Sequence, residues 1–323
     1  MGEAPTLPEE MNEEKKQAVT AILQFAADSL PPPLPNVEAG EFKGSSRRSN
    51  QLMISENVQL PDGPRVRHYR PTDIKDETLP LVLFCHGGGW FAGNLDTEDR
   101  TCRIVCSEIR AWIVSVDYRC DFDVPLKVMV DDCCGAFEWA RSNASTYGAD
   151  PTASVVWGGS AGGALAVAAV HRLVQAGKKP SGLVAMNPIT CHPDATPAKY
   201  KHLNTSYIDN AGPLPFVSGR DTLELYRHRQ IEPPNTDTKI FPAAGGAEAV
   251  AGFPRTYIIT SDNDASRDDG TILEAALEDA GVPVRRDNIM GLAHYYWSFD
   301  LPKANADFWS KLCSGLEWTL ERK

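Results

Sequence analysis

No apolar run in this 323-residue chain approaches the ~18 residues that a membrane-crossing helix requires. Dense blocks of Lys and Arg are missing too. Ser45-Ser46-Arg47-Arg48 and Gly177-Lys178-Lys179-Pro180 are short and read as solvated surface, and the net charge is −11. That balance argues against a nucleic acid or an anionic membrane as partner. No C-x-x-C pair stands with a second pair or with nearby histidines, so no zinc site is expected, and no other metal. The eight cysteines do not form a disulfide framework: Cys85 lies in an apolar run, Cys102 and Cys106 are at helical spacing, and Cys133 and Cys134 are adjacent. They read as small buried hydrophobes in a reducing compartment. "MGEAPTLPEEMNEEKK" is acidic where a secretory signal is basic and then apolar, and "LEWTLERK" matches no retention or peroxisomal address. A cytoplasmic protein is the expectation. Internal repeats and low-complexity tracts are lacking as well.

What is present is the composition of an ordinary globular protein, 42% hydrophobic and 23% charged, long enough for one large domain or two small ones. Residues 11–30 have apolar positions at helical spacing, and "PPPLP" stops them. "NQLMISENVQL" and "RVRHYRP" read as strands joined by the turn signal "PDG". An alternation follows: strand "LPLVLFC", helix 96–110, strand "AWIVSVDYR", helix 126–147, strand "SVVWGG", a helix after Ser160 and strand "GLVAMNP". It resumes with "RTYIITSD", helix 267–281, "VPVRRDNIM" and a last helix over 305–321. Short apolar runs alternating with longer amphipathic segments predict an α/β fold, a parallel sheet covered on both faces. Between Thr190 and Ala251 the alternation fails, with only 219–229 looking helical. So long an insertion is usually a lid or a binding loop.

In such a sheet, ligands gather at the carboxyl ends of the strands. Two glycine clusters fall there. Gly158-Gly159-Ser160-Ala161-Gly162 fits G-x-S-x-G between a predicted strand and a predicted helix, the context of a nucleophile elbow. Ser160 would then stand at a helix N-terminus, where free N–H groups favour developing negative charge. The competing readings are a tightly packed strand–helix turn or a phosphate-binding loop. The Lys-Ser/Thr pair of a P-loop is lacking, and the dinucleotide fingerprint is poor. The second cluster, His86-Gly87-Gly88-Gly89-Trp90, lets main-chain N–H groups approach a developing oxyanion. His86 lies too early for a base and reads as a hydrogen-bonder that fixes this loop.

A base and an acid should follow. Past residue 228 the chain has one histidine, His294, in "GLAHYYW" after a late strand. An imidazole there could take the Ser160 proton and return it to a leaving group. Asp262, Asp264, Asp268 and Asp269 cluster after the preceding strand, and any of them could orient it.

Together "HGGGW", "VDYR", "GADP", "GGSAGGALA", "DNDASRDDG" and "GLAHYYW" resemble the hormone-sensitive-lipase-like branch of the α/β-hydrolases, the family IV or HGGG carboxylesterases. The resemblance runs from about residue 65 to the end. It implies an α/β-hydrolase fold with a mostly parallel sheet of about eight strands and a cap. The core would be 46–190 and 251–323, with cap pieces at 1–45 and 191–250. The implied acid is the first Asp of D-P-L-R-D, which selects Asp264 in Asp264-Ala265-Ser266-Arg267-Asp268, although the Pro-Leu is missing. The implied oxyanion donors are Gly88, Gly89 and Ala161. Gly159 stands where the family usually has Asp, and Tyr118-Arg119-Cys120-Asp121-Phe122-Asp123 replaces "YRLAPE". Phe91, Tyr207, Phe216, Leu223 and Tyr226 are candidates to line an acyl or alcohol pocket.

The activity so implied is hydrolysis of a small or medium ester through an acyl-enzyme, with no cofactor and no metal. "CHPDATPAKYKHL" and "HYYWSFD" look like fungal members, some of which act on esters in secondary metabolism. Acyl-transferring, lactone-forming or polyketide-releasing enzymes would use the same serine. A non-catalytic receptor on this fold, such as the plant gibberellin receptors, lacks the histidine that this chain has. Homodimers are common in the family.

Overall fold

"LPLVLFC" shows how the sheet is specified. In β3 (Leu79–Cys85) every residue is buried. Leu81, Leu83 and Cys85 join the apolar cluster on one face of the sheet, while Val82 and Phe84 join the one on the other. Alternation with both faces apolar is what a doubly covered strand requires. Each such side chain contributes about 1.5–3 kcal/mol by leaving water. The computed structural model describes residues 53–74, 77–212 and 217–322. The predicted helix over 11–30, the cap piece at 1–45 and Phe216 lie outside the described residues.

The other strands are β1 (Met53–Gln59), β2 (Arg65–Pro71), β4 (Trp112–Asp117), β5 (Ala149–Gly159), β6 (Gly182–Met186), β7 (Arg255–Asn263) and β8 (Val284–Ala293). They form an eight-stranded sheet in the order β1-β2-β4-β3-β5-β6-β7-β8. β1 and β2 are antiparallel to their neighbours, and β3 to β8 run parallel. This is the expected α/β-hydrolase architecture.

Helices α1 (Asp99–Ile109), α2 (Leu126–Asn143), α3 (Ala161–Gln175), α4 (Gly219–His228), α5 (Arg267–Asp279) and α6 (Pro302–Thr319) complete the frame. The faces of α2, α3 and α5 feed one apolar cluster, and those of α1 and α6 feed the other. Several predicted boundaries move by a few residues, among them the following two. α2 stops at Asn143 because a 3-10 turn over Ala144–Tyr147 follows, closed by Gly148 in the left-handed region. β8 runs on to Ala293, which brings its end level with the end of β7, where Asn263 pairs with Ala293.

Between β6 and β7 the described residues form short helical turns, α4 and connecting loops. Ser218 and Asp221 cap α4 reciprocally, and Arg229 just beyond it donates to the carbonyls of Asp121, Phe122 and Val124. The insertion thereby grips the loop whose sequence departs from "YRLAPE". No helix among the described residues is long and apolar enough to cross a membrane.

Candidate active site

β5 delivers Ser160 to the first turn of α3 with φ 54° and ψ −122°. A non-glycine residue there stores roughly 1–3 kcal/mol of strain and persists only if its surroundings hold it. The Ser160 amide donates to the Met186 carbonyl at 2.8 Å, and its own carbonyl accepts from Ala164 and Ile189. The flanking glycines answer a separate demand. A Cβ on Gly158 would stand 2.3 Å from the Gly162 carbonyl oxygen, and one on Gly162 would stand 2.2 Å from the carbonyl oxygens of both Cys85 and His86. The turn is therefore tightly packed and also holds a serine in a sparsely allowed conformation. Gly162→Ala should push β3 and its glycine loop away from the serine. We expect roughly 1–3 kcal/mol of lost stability from the overpacking, read from the urea midpoint, together with lower ester turnover.

His294 follows β8, and its Nε2 lies 2.9 Å from Ser160 Oγ. Its Nδ1 lies 2.7 Å from Asp264 Oδ2. Asp264 is buried. Burial alone would raise its pKa, but the neighbouring His294, the Asn187 amide and the Ser266 N–H together hold it below the usual carboxylate range. Asp264 Oδ1 accepts from the Ser266 N–H at 2.9 Å and from the Ser266 hydroxyl at 3.0 Å, while Oδ2 accepts from Asn187. An ionised Asp264 requires the His294 proton on Nδ1, which leaves Nε2 free to accept from the serine.

The other aspartates of the cluster are engaged elsewhere. Asp262 is half-buried and accepts from the Gly291 amide. Asp268 pairs with Arg267 and accepts the Thr205 and Ser206 amides, tying the insertion down. Asp269 accepts the Thr190 and Cys191 amides, and burial pushes its carboxyl well above the usual range.

In the second glycine cluster, Gly88 has φ 126°, Gly89 φ 63° and Trp90 φ 65°. Among the described residues no hydrogen bond leaves the Gly88 or Gly89 amide. Ala161 opens α3, so its N–H has no partner within the helix. Trp90 is buried, and its indole N–H donates to the Ala161 carbonyl at 3.0 Å, joining this loop to the serine turn. His86 is fully buried, bonds the Gly87 carbonyl through Nδ1 and stacks on Tyr118 at 4.2 Å. It fixes the loop, as its early position in the chain suggested.

The aromatic candidates separate. Phe91 stacks on Phe122 at 4.7 Å beside Gly89. Tyr226 is fully buried, and Tyr207 is nearly so; their hydroxyls lie 3.3 Å apart, and Tyr207 also donates to Asp269. Leu223 is half-buried against the core, and Phe216 is outside the described residues. Leu225, which sequence reasoning passed over, approaches the space over Gly89. Two surface clefts of about 580 and 570 Å³ lie toward the opposite ends of β5 to β7 and along β8, lined by residues such as Thr152, Arg255, Arg285 and Trp318. Neither includes a residue of this site.

Residues 82–298 match the family model described as alpha/beta hydrolase fold. The chain is 34% identical over 278 residues to the versiconal hemiacetal acetate esterase of Dothistroma septosporum, covering 83% of each. It is 30% identical to a carboxylesterase of Mycobacterium tuberculosis over 78% of this chain and 77% of that one. Among solved structures it is similar to vibralactone cyclase, with a TM-score of 0.76 and 25% identity, covering 99% of this chain and 92% of that one.

Proposed function

Because the chain belongs to the α/β-hydrolase fold family, as a carboxylesterase-type serine hydrolase of its hormone-sensitive-lipase-like branch, we propose that Ser160, His294 and Asp264 hydrolyse a small ester through an acyl-enzyme. The observation that carries the residue assignment is the unbroken path Ser160 Oγ–His294 Nε2, His294 Nδ1–Asp264 Oδ2, at 2.9 and 2.7 Å.

Ser160 Oγ attacks the ester carbonyl carbon while His294 Nε2 accepts its proton. Asp264 holds Nδ1–H and stabilises the imidazolium. The carbonyl oxygen becomes anionic and takes N–H groups from Gly88, Gly89 and Ala161, each worth on the order of 10²–10³ in rate. Collapse breaks the C–O bond to the alcohol, which leaves with the proton from His294. Water then gives a proton to His294 and attacks the acyl carbon, and collapse releases the acid and restores Ser160.

The names of the fungal relatives support an acetyl or similarly short acyl group on a secondary metabolite. Phe91, Phe122 and Leu225 beside Gly89 fit an apolar wall for it. Residues 191–250 would serve as the cap. Eight unpaired thiols accord with a reducing, cytoplasmic setting. A p-nitrophenyl ester series tests this reading. Turnover should be highest at acetate to butyrate and fall with longer chains. No turnover across the series would refute the esterase reading.

A second reading rests on the likeness to the cyclase. A hydroxyl within the acyl group, or an added alcohol, would take the place of water and release a lactone or a new ester. Product analysis with added alcohols separates the two.

A further inference from the structure

Gly159 precedes the serine at a place where an acidic side chain is usual, and the structure shows what fills the space. A Cβ on Gly159 would lie 2.0 Å from the Tyr295 hydroxyl oxygen, and one on Gly87 would lie 2.8 Å from the same atom. The Tyr295 hydroxyl therefore sits between the serine turn and the glycine loop. It reaches there because Tyr295, directly after His294, adopts φ 54° and ψ 30°. It donates to Glu98 Oε1 at 3.1 Å, and the Gly87 amide donates to the same oxygen at 2.9 Å. Glu98 is 6% exposed, stands at the N-cap position of α1 without a side-chain capping bond, and among the described residues has no partner at Oε2. One buried carboxyl thus ties the loop carrying Gly88 and Gly89 to the loop carrying His294.

We propose that Glu98 and Tyr295 form a positioning strut, in which the Glu98 carboxylate, just before α1, sets the oxyanion loop against His294. The inference rests on the catalytic reading above. Charge-assisted hydrogen bonds are about twice as strong as neutral ones, so an ionised Glu98 holds both donors more firmly than a protonated one.

The titratable groups around Glu98 are Asp99, Cys102, Tyr118 and Tyr295; Asp99 is itself paired with Arg67 and Arg103. With no cation bonded to it among the described residues, burial pushes Glu98 up to about 7, against the opposing hydrogen bonds from Gly87 and Tyr295. The strut is then loose below neutral pH and taut above it.

Glu98→Gln keeps an acceptor at Oε1 and imitates the protonated acid at every pH. The ratio of wild-type to variant kcat/KM for p-nitrophenyl acetate should rise from near one at about pH 5.5 to about tenfold at about pH 8.5. The midpoint should lie near 7. Tyr295→Phe removes a donor that lowers the Glu98 pKa, so its inflection should move to higher pH, and this variant serves if Glu98→Gln does not fold. A ratio flat with pH, or an inflection unmoved in Tyr295→Phe, overturns the strut and leaves Glu98 a structural residue. A wild type with no ester turnover would instead sink the catalytic reading. In that case the carbon-13 shift of the Glu98 carboxyl decides, with a titration that moves to higher pH in Tyr295→Phe supporting the strut and one unmoved by that change refuting it.

Discussion

Ser160→Ala is expected to lower kcat/KM for p-nitrophenyl acetate by on the order of 10⁴- to 10⁶-fold, with the fold intact. The substitution removes the only atom that forms the acyl bond and leaves the site's other donors in place. Those donors still bind a hydrated ester, so a residual rate above that in water should survive. Stability should change little. Alanine bears the same unfavourable φ of 54° as serine, and the backbone bonds to Met186, Ala164 and Ile189 remain. Steady-state kinetics beside urea denaturation check both halves. A variant retaining a tenth of wild-type activity would remove Ser160 from the chemistry.

Asp264→Asn should be nearly as damaging, on the order of 10⁴-fold, for a different reason. Both oxygens of Asp264 are surrounded by donors: Ser266 N–H and O–H at Oδ1, Asn187 and His294 at Oδ2. An amide NH₂ must face one of these sets. Turned toward Ser266 it opposes two donors. Turned toward His294 it drives the ring proton to Nε2, and the histidine can no longer accept from Ser160. Unlike Ser160→Ala, this variant should also lose stability, by about 1–3 kcal/mol for the mismatched buried groups. The double variant should be scarcely slower than Ser160→Ala alone, because the residues act as a unit. Additive losses would contradict that coupling.

Much of this site was legible from the chain because the signals were local. Runs such as "LPLVLFC" and "SVVWGG" carry two-sided burial in their composition, and Ser160 follows the second; His294 follows β8, a half-exposed strand, and stood out as the one histidine past residue 228. The choice of Asp264 required the family pattern, since periodicity could not rank it above Asp262, Asp268 or Asp269. The structure distinguishes them by partners distant in sequence, Thr190, Cys191, Thr205 and Ser206 among them.

Asn187 and Ser266 escaped notice because a buried hydrogen bond leaves no periodic trace. Gly159 was visible as a departure, but its explanation required knowing that Tyr295 takes a left-handed turn and fills the vacated space. The pocket was least legible. Leu223 and Tyr226 are the pocket candidates along α4, whereas Leu225, on another face of that helix, approaches Gly89. Tyr226 is a core residue by burial.

The central claim is that Ser160 is a nucleophile activated by His294. The measurement that tests it most directly is peptide mass spectrometry of the protein treated with a fluorophosphonate, in wild type and in His294→Ala. A single phosphonyl adduct on Ser160 in the wild type, formed orders of magnitude more slowly in the variant, is the result expected. An unlabelled Ser160, or equal labelling without His294, would contradict the account.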